Sequence, residues 1–408
     1  MKTYGGLKLF YRIINDLIEN KLKTNCFVLI SGPTGCGKSS IAIRYANSIV
    51  NVDKNLVSNI LLAEFNVEKL LSGTKPLLIE NYDLLEGVLC EIKSQCNKPN
   101  NEGSFILTTR KIVDKGIKIL PLSLYESKES NGMISILELF ENPDLDISGF
   151  SSNLGIENLI DACCRGGFPK AFDNENFMKR YIENLINLHE DLKDIKKVKS
   201  ILKVYSRNIS TNISNAEILN QVQRDFPTMS KSTFYRYINA LKELWIVLEI
   251  ESWDVNLRAK SAIKKTSKKE FIDPSISPSI LNLNTEMLIY DLETFQRFFE
   301  NLCIRDLTVY TSFRNGKIYY YEDRYGLSID CILQLDNEDY ALIQFELSRL
   351  TFDDAAGKLL KMDKLIERKI DDGTINIKRP KFLAIITSIG FSYVRSDGIK
   401  VIPICILK

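Results

Sequence analysis

One histidine, His189, is all that 408 residues contain. Histidine is the side chain that titrates nearest neutrality and the commonest metal ligand, so imidazole-based nucleophilic catalysis and histidine metal centres are close to excluded. Long apolar runs are missing too, none approaching the ~18 residues that a membrane span needs. The start, Met1-Lys2-Thr3-Tyr4-Gly5, leads by its spacing into an amphipathic helix over 7–22 and not into a secretory segment. Neither sign of charge is in excess: 54 basic side chains face 52 acidic ones, for a net charge of +2. Any nucleic-acid surface must therefore be a local patch. Nine cysteines include no Cys-x-x-Cys pair, only the adjacent Cys163-Cys164. An odd number without framework spacing predicts reduced thiols and a cytoplasmic location, and the lack of long apolar runs predicts no membrane partner. The length suits two to four domains.

Against these absences stands Gly32-Pro33-Thr34-Gly35-Cys36-Gly37-Lys38-Ser39, the spacing of a phosphate-binding loop. Cys26-Phe27-Val28-Leu29-Ile30 before it reads as a buried parallel strand, and Ser39 to Tyr45 after it as opening helical turns. Glycines let successive N–H groups turn toward phosphates. Lys38 is placed for the β- and γ-phosphates, the Ser39 hydroxyl for Mg²⁺, and Ser40 follows at the helix start. ATP and Mg²⁺ are the ligands this implies. Pro76-Leu77-Leu78-Ile79-Glu80-Asn81-Tyr82-Asp83 reads as a buried strand ending in an acid, as the Mg²⁺–water side of such a site requires. Ser104 to Arg110 is a further strand with a polar end, where Thr108 and Arg110 are either site residues or an ordinary strand terminus. Strands alternating with helices, polar on one edge, predict a parallel α/β sheet with its ligand there.

The phosphate loop, Pro76–Glu80, Ile106-Leu107-Thr108, Leu120-Pro121-Leu122-Ser123-Leu124-Tyr125-Glu126-Ser127 and Gly166-Gly167-Phe168-Pro169 together resemble an archaeal and bacterial family of AAA-type ATPases. Its members read "PMSLxES" and "GGxP" at the last two segments. The resemblance implies a helical lid, then a winged helix, then a PD-(D/E)xK nuclease-like domain. The implied boundaries are 1–140 for the ATPase domain, 141–200 for the lid, 201–275 for the winged helix and 276–408 for the nuclease-like domain. It also implies that the GGxP turn holds the lid near the adenine. The family's acidic pair after the second strand is Asp-Glu, whereas this chain has Glu80-Asn81. Glu80 can serve the Mg²⁺ shell. Asn81 orients a water but takes no proton as a carboxylate would, and Asp83 nearby is the substitute. ATP binding with slow hydrolysis is the expectation, with Glu80, Asn81, Asp83 and Thr108 as the catalytic set.

Asn215–Leu219 and Ser230–Leu241 read as two short helices, with Ser230 as an N-cap. Strands around Ile246–Ile250 and Phe271–Pro274 flank a lysine cluster, which is a winged-helix order. Lys231, Arg236, Lys264, Lys265, Lys268 and Lys269 are the residues available for DNA phosphates. A scaffold that contacts protein partners is the alternative. The strands 318–321, 328–333 and 341–346 resemble the nuclease core, whose words "LEVD" and "ExK" become Leu327-Ser328-Ile329-Asp330 and Gln344-Phe345-Glu346. Asp330, Glu346 and Glu300 are the candidate metal ligands, but Gln344 is neutral and Glu346 stands where the family has lysine. That departure points to a domain that binds without cutting.

Overall fold

A computed structural model of the chain describes residues 3–4, 7–8, 10–51, 57–97, 101–258 and 263–408. Packing divides the chain into two compact units, Met1–Pro121 with Glu243–Trp245, and Leu122–Lys242 with Ile246–Lys408.

The first unit is built on β1 (Phe27–Ser31), β2 (Ser48–Asn51), β3 (Leu77–Glu80), β4 (Phe105–Thr109) and β5 (Ile117–Lys118), in the order β2-β3-β4-β1-β5. All four pairings are parallel. Every residue of β3 and β4 is buried, as strands covered on both faces must be, which is why they stand out as apolar runs. Leu70, Leu71, Leu85, Val88 and Ile92 pack with the strand residues Leu77, Ile79, Phe105 and Leu107. The sheet and its flanking helices make a parallel α/β unit.

Two expectations fail here. The helix expected over 7–22 runs from Asn15 to Thr24, because Thr3–Tyr4 and Leu7–Lys8 form an antiparallel ribbon and Arg12 is drawn inward by main-chain carbonyls. The thiols are not all reduced: Cys26 and Cys96 are joined, with Cα atoms 5.5 Å apart. Cys26 precedes β1 and Cys96 ends the Val88–Cys96 helix, so the sheet brings together residues 70 apart in sequence. Among the described residues no helix is long and apolar enough to cross a membrane.

The second unit begins with short helices. After them come the Ile195–Arg207, Asn215–Asp225 and Lys231–Glu243 helices and an antiparallel ribbon of β6 (Val247–Ile250) and β7 (Lys268–Phe271). Ser214 caps the second of these helices through Glu217 N–H, and the Ser230 hydroxyl accepts from Thr233 N–H. The Leu292–Tyr310 helix follows, capped by Asp291. A six-stranded mixed sheet of β8 (Lys317–Glu322), β9 (Ser328–Gln334), β10 (Tyr340–Glu346), β11 (Leu383–Thr387), β12 (Tyr393–Val394) and β13 (Lys400–Pro403) closes the chain. Its order is β8-β9-β10-β11-β13-β12. The Phe352–Asp371 helix covers it, burying Leu359, Met362 and Ile366 with Ile332, Leu342 and Ile385.

A buried ionic knot holds the second unit together. Arg305 donates to Asp306 at 2.7 Å and to Asp273 at 3.1 Å, with all three side chains shut away from solvent. Asp306 also accepts from Leu124 N–H and the Tyr310 hydroxyl, and Asp273 from Gly167 N–H and Ser275 N–H. The knot thus ties the "SLYES" segment and the GGxP turn to the Leu292–Tyr310 helix. A methyl group on Gly167 would lie 2.1 Å from the Leu122 carbonyl oxygen, and one on Gly166 2.1 Å from Asp273 Oδ1. Both glycines are required by this close approach, a structural reason for the motif within its own unit. Gly167→Ala is accordingly expected to cost about 1–3 kcal/mol through overpacking, read as a fall of several degrees in the thermal midpoint. An unchanged midpoint would show that the turn can shift away from Leu122.

Candidate nucleotide site

The glycine loop leaves β1 at the carboxyl edge of the parallel sheet. Gly35 and Gly37 have φ of 79° and 103°, a region closed to most side chains. A Cβ on Gly32 would meet the Ile119 carbonyl oxygen at 2.1 Å. The helix that follows, Lys38–Ala42, has five residues and not the longer run expected to Tyr45. Its dipole is correspondingly small, so an anion here depends chiefly on loop N–H groups and on Lys38.

Lys38 is buried, and its Nζ donates at 2.7 Å to the carbonyls of both Gly32 and Pro33. Burial lowers its pKa, and Arg110 adds to that while Asp83 and Glu80 oppose it. These three charged groups are near enough to influence the ammonium. Cys36 is also enclosed, and burial raises its thiol pKa. Arg12 braces the loop from behind: Nη1 donates to the Cys36 carbonyl at 2.9 Å and Nη2 to the Leu120 carbonyl at 2.6 Å. The sequence offers little sign of Arg12 beyond a lone cation between aromatic and apolar neighbours.

Glu80 ends β3 in a buried position. Asn81 then takes the left-handed conformation, φ 51° and ψ 47°, which asparagine tolerates and a longer side chain resists. That geometry gives a physical reason for asparagine at this point. Thr108 Oγ1 accepts from Asn81 N–H at 3.2 Å, so Thr108 fixes the turn. Asp83 accepts from Thr109 Oγ1 at 2.7 Å and lies 3.6 Å from Lys111. The sheet thus gathers Lys38, Glu80, Asp83 and Arg110 at one edge. The Glu80 carboxylate at the strand end and the Ser39 hydroxyl at the helix start are oxygen donors that suit a hard cation, while the Lys38 ammonium suits the phosphate oxygens such a cation would carry.

In the second unit the candidate metal ligands have other partners. Lys268 bonds Glu300 directly, Asp330 Oδ2 accepts from Phe345 N–H at 3.1 Å, and Glu346 Oε2 accepts from Thr351 Oγ1 at 2.5 Å. Gln344 donates to the Ser328 carbonyl. Among the described residues no three His, Cys, Asp or Glu side chains are arranged to hold a metal ion. Of the three expected metal ligands, Glu300 is paired with the Lys268 ammonium.

The basic residues expected to face DNA are mostly neutralised. Lys268 and Lys269 are buried within β7, ion-paired to Glu300 and Glu249. Successive strand residues point to opposite faces, and each lysine meets an acid on its own side, which removes both from a phosphate-contacting surface. Arg236 lies 3.9 Å from Asp191, Lys265 3.6 Å from Asp254, and Lys264 pairs with Glu322. Lys231 sits 5.9 Å from the Tyr235 ring.

Comparison with known proteins gives one family match, to a domain of unknown function (DUF8612), over residues 156–287. A search of curated proteins finds no match. Among solved structures the chain is similar to a Walker-type ATPase of Pyrococcus abyssi, with 12% identity, TM-score 0.40, and 67% of this chain and 96% of that one covered. It is also similar to AMPPCP-bound DnaA from Aquifex aeolicus, with 14% identity, TM-score 0.26, and coverage of 56% and 85%. C. elegans PCH-2 matches at 12% identity and TM-score 0.20, with coverage of 56% and 66%.

Proposed function

We propose that this chain is an ATP-binding protein with slow turnover, whose nucleotide state works as a switch. The observation that carries the reading is the Lys38 ammonium folded onto the Gly32 and Pro33 carbonyls, under a glycine loop at the carboxyl edge of a parallel sheet. Those two bonds are replaceable by phosphate oxygens, with the loop N–H groups of Gly32–Ser39 and Ser40 surrounding the anion. Ser39 and Glu80 would hold Mg²⁺, which supplies charge neutralisation for the leaving phosphate when bound. Asn81 offers no carboxylate, so proton acceptance falls to Asp83, which is already engaged by Thr109 and Lys111. A base held by two donors acts slowly.

For the second unit we favour a binding scaffold that contacts protein partners, with the winged-helix and nuclease-like resemblances describing its architecture and not an activity. Five of the six basic residues proposed for DNA contact are paired with acids, which cancels the charge that phosphate binding needs. The test of the nucleotide reading is titration of a fluorescent ATP analogue in Mg²⁺, followed by single-turnover cleavage. Saturable binding with slow cleavage is expected, Asp83→Asn abolishing what cleavage there is and Asn81→Asp raising it. No saturable binding would overturn the proposal, and brisk cleavage indifferent to Asp83→Asn would remove Asp83 from the mechanism.

A further inference from the structure

Charge is unevenly spread over the second unit. Residues 151–164 and 282–296 contain Glu157, Asp161, Glu286, Asp291 and Glu293 and not one lysine or arginine, in a chain whose net charge is +2. The fold brings the two stretches together. The Thr285–Leu288 helix packs on the Ile156–Arg165 helix, and the side chains of Cys164 and Thr285 hydrogen-bond. All five acidic residues are exposed. Arg297, the first base after them, donates to the Arg207 main-chain oxygen and influences Asp291. An apolar component lies at the corner where the Thr285–Leu288 helix turns into the Leu292–Tyr310 helix. Met287 is 52% exposed there, Tyr290 92% and Leu292 48%. Asn284 caps the first helix through Met287 N–H and Asp291 the second through Thr294 N–H, so the corner is a fixed platform. Single exposed apolar residues are ordinary, whereas a cluster of them rimmed by charge of one sign marks an interaction site. Beside the corner opens a cavity of about 960 Å³, lined by Asp161, Asn174, Glu175, Asn284 and Thr285 among others. Its two bases are engaged: Arg165 bonds Glu129 at 2.6 and 2.8 Å, and Lys179 acts on Glu183.

Resting on the reading of the second unit as a scaffold for protein contacts, we propose that this corner and the adjoining cavity dock a basic segment of a partner protein. One apolar side chain of the segment packs on Met287, Tyr290 and Leu292, and a lysine or arginine beside it enters the cavity. Charge complementarity selects this occupant. Carboxylates with no base among them repel nucleic-acid phosphates and anionic lipid surfaces. A two-fold dimer through this face would set the same five acids against each other. A basic segment meets neither obstacle, and the acidic rim draws it in and orients it. Tyr290 supplies the anchor, a large rigid ring that loses little conformational freedom on being covered.

The experiment selects peptides from a random displayed library on the full chain and counter-selects on Tyr290→Ala. That side chain is almost wholly exposed, so its removal leaves the fold unchanged, with circular dichroism as the control. Peptides that depend on the corner are expected to carry several lysines or arginines around one aliphatic or aromatic residue. The best of them, fluorescently labelled, should bind Tyr290→Ala at least about tenfold more weakly. Its affinity for the unaltered chain should fall with added salt, and Glu286→Gln/Glu293→Gln should flatten that dependence. Corner-dependent peptides that are acidic or neutral would overturn the inference. Peptides that bind with no dependence on Tyr290 would also overturn it, while leaving the scaffold reading in place. A dimer of the full chain that Tyr290→Ala abolishes would overturn it too, by assigning the corner to a second copy. Salt-sensitive retention of duplex DNA by the full chain is the separate result that would overturn the scaffold reading.

Discussion

Lys38→Ala should abolish tight binding of Mg·ATP and leave the first unit folded. A lysine facing phosphates makes a charge-assisted contact of about 1.5–3 kcal/mol, which is more than tenfold in affinity. The folded state tolerates the loss because Nζ bonds two loop carbonyls at 2.7 Å and no buried carboxylate directly. Removing it breaks no direct ion pair. Gly32 is also held against Ile119, and the Cys36 carbonyl keeps its bond from Arg12, so the loop has other restraints. Titration of the fluorescent ATP analogue against both proteins, with circular dichroism as the control for folding, measures the effect. Equal affinities would show that this loop is not the nucleotide site. A parallel collapse of secondary structure would show that the lysine holds the loop together instead of holding the ligand.

Arg305→Met is expected to be the most damaging single change in the second unit, at about 3–5 kcal/mol. The methionine fills similar space but leaves Asp306 and Asp273 facing each other without the cation that bonds both. Burial alone already raises the Asp306 pKa, and the guanidinium is the main influence opposing it. Loss of the arginine should therefore leave Asp306 protonated across a wider pH range. Its bond from Leu124 N–H then weakens, and with it the attachment of the "SLYES" segment. Thermal unfolding followed by tryptophan emission from Trp253, buried in the second unit, reads the change. The double variant Arg305→Met/Asp306→Asn should recover part of the loss, because one of the two stranded charges is gone. A double variant no better than the single one would mean that the arginine acts by packing, not by charge.

The parts that the sequence announces are those whose information is local. β3 and β4 are continuous apolar runs because both faces are covered, and the glycine spacing of residues 32–39 follows from backbone geometry within eight residues. The same holds for β8, β9 and β10, where alternation and turns are contiguous. What the sequence conceals depends on partners far along the chain. Lys268 and Lys269 look like an exposed wing until Glu300 and Glu249 meet them on opposite faces of one strand. Cys26 and Cys96 carry no spacing signal, since a sheet edge and a helix end set their proximity. Arg12 breaks the expected first helix because its bonding partners, at Cys36 and Leu120, belong to elements not yet formed when it is read. The Arg305–Asp306 pair of the buried knot carries no signal of its own, because Glu293, Arg297 and Glu300 are charged residues of the same helix. The knot's third member, Asp273, lies in another element altogether.

The strand order also fixes a sequence of events in time. β1 comes first in the chain but sits between β4 and β5, pairing Phe27 with Phe105 and Ile30 with Ile117. Contacts of such long separation form late, after the loop-closure entropy of the intervening chain has been overcome. Gly32 rests against the carbonyl of Ile119, and Arg12 reaches the carbonyl of Leu120, so the loop acquires its walls only when that stretch docks. A nascent chain that has emerged as far as residue 100 therefore carries the whole glycine motif without the capacity to grip a phosphate. On the proposed reading of this loop as a nucleotide site, competence would arrive some twenty residues later, with closure of the sheet, and nucleotide capture would report on the first unit's folding.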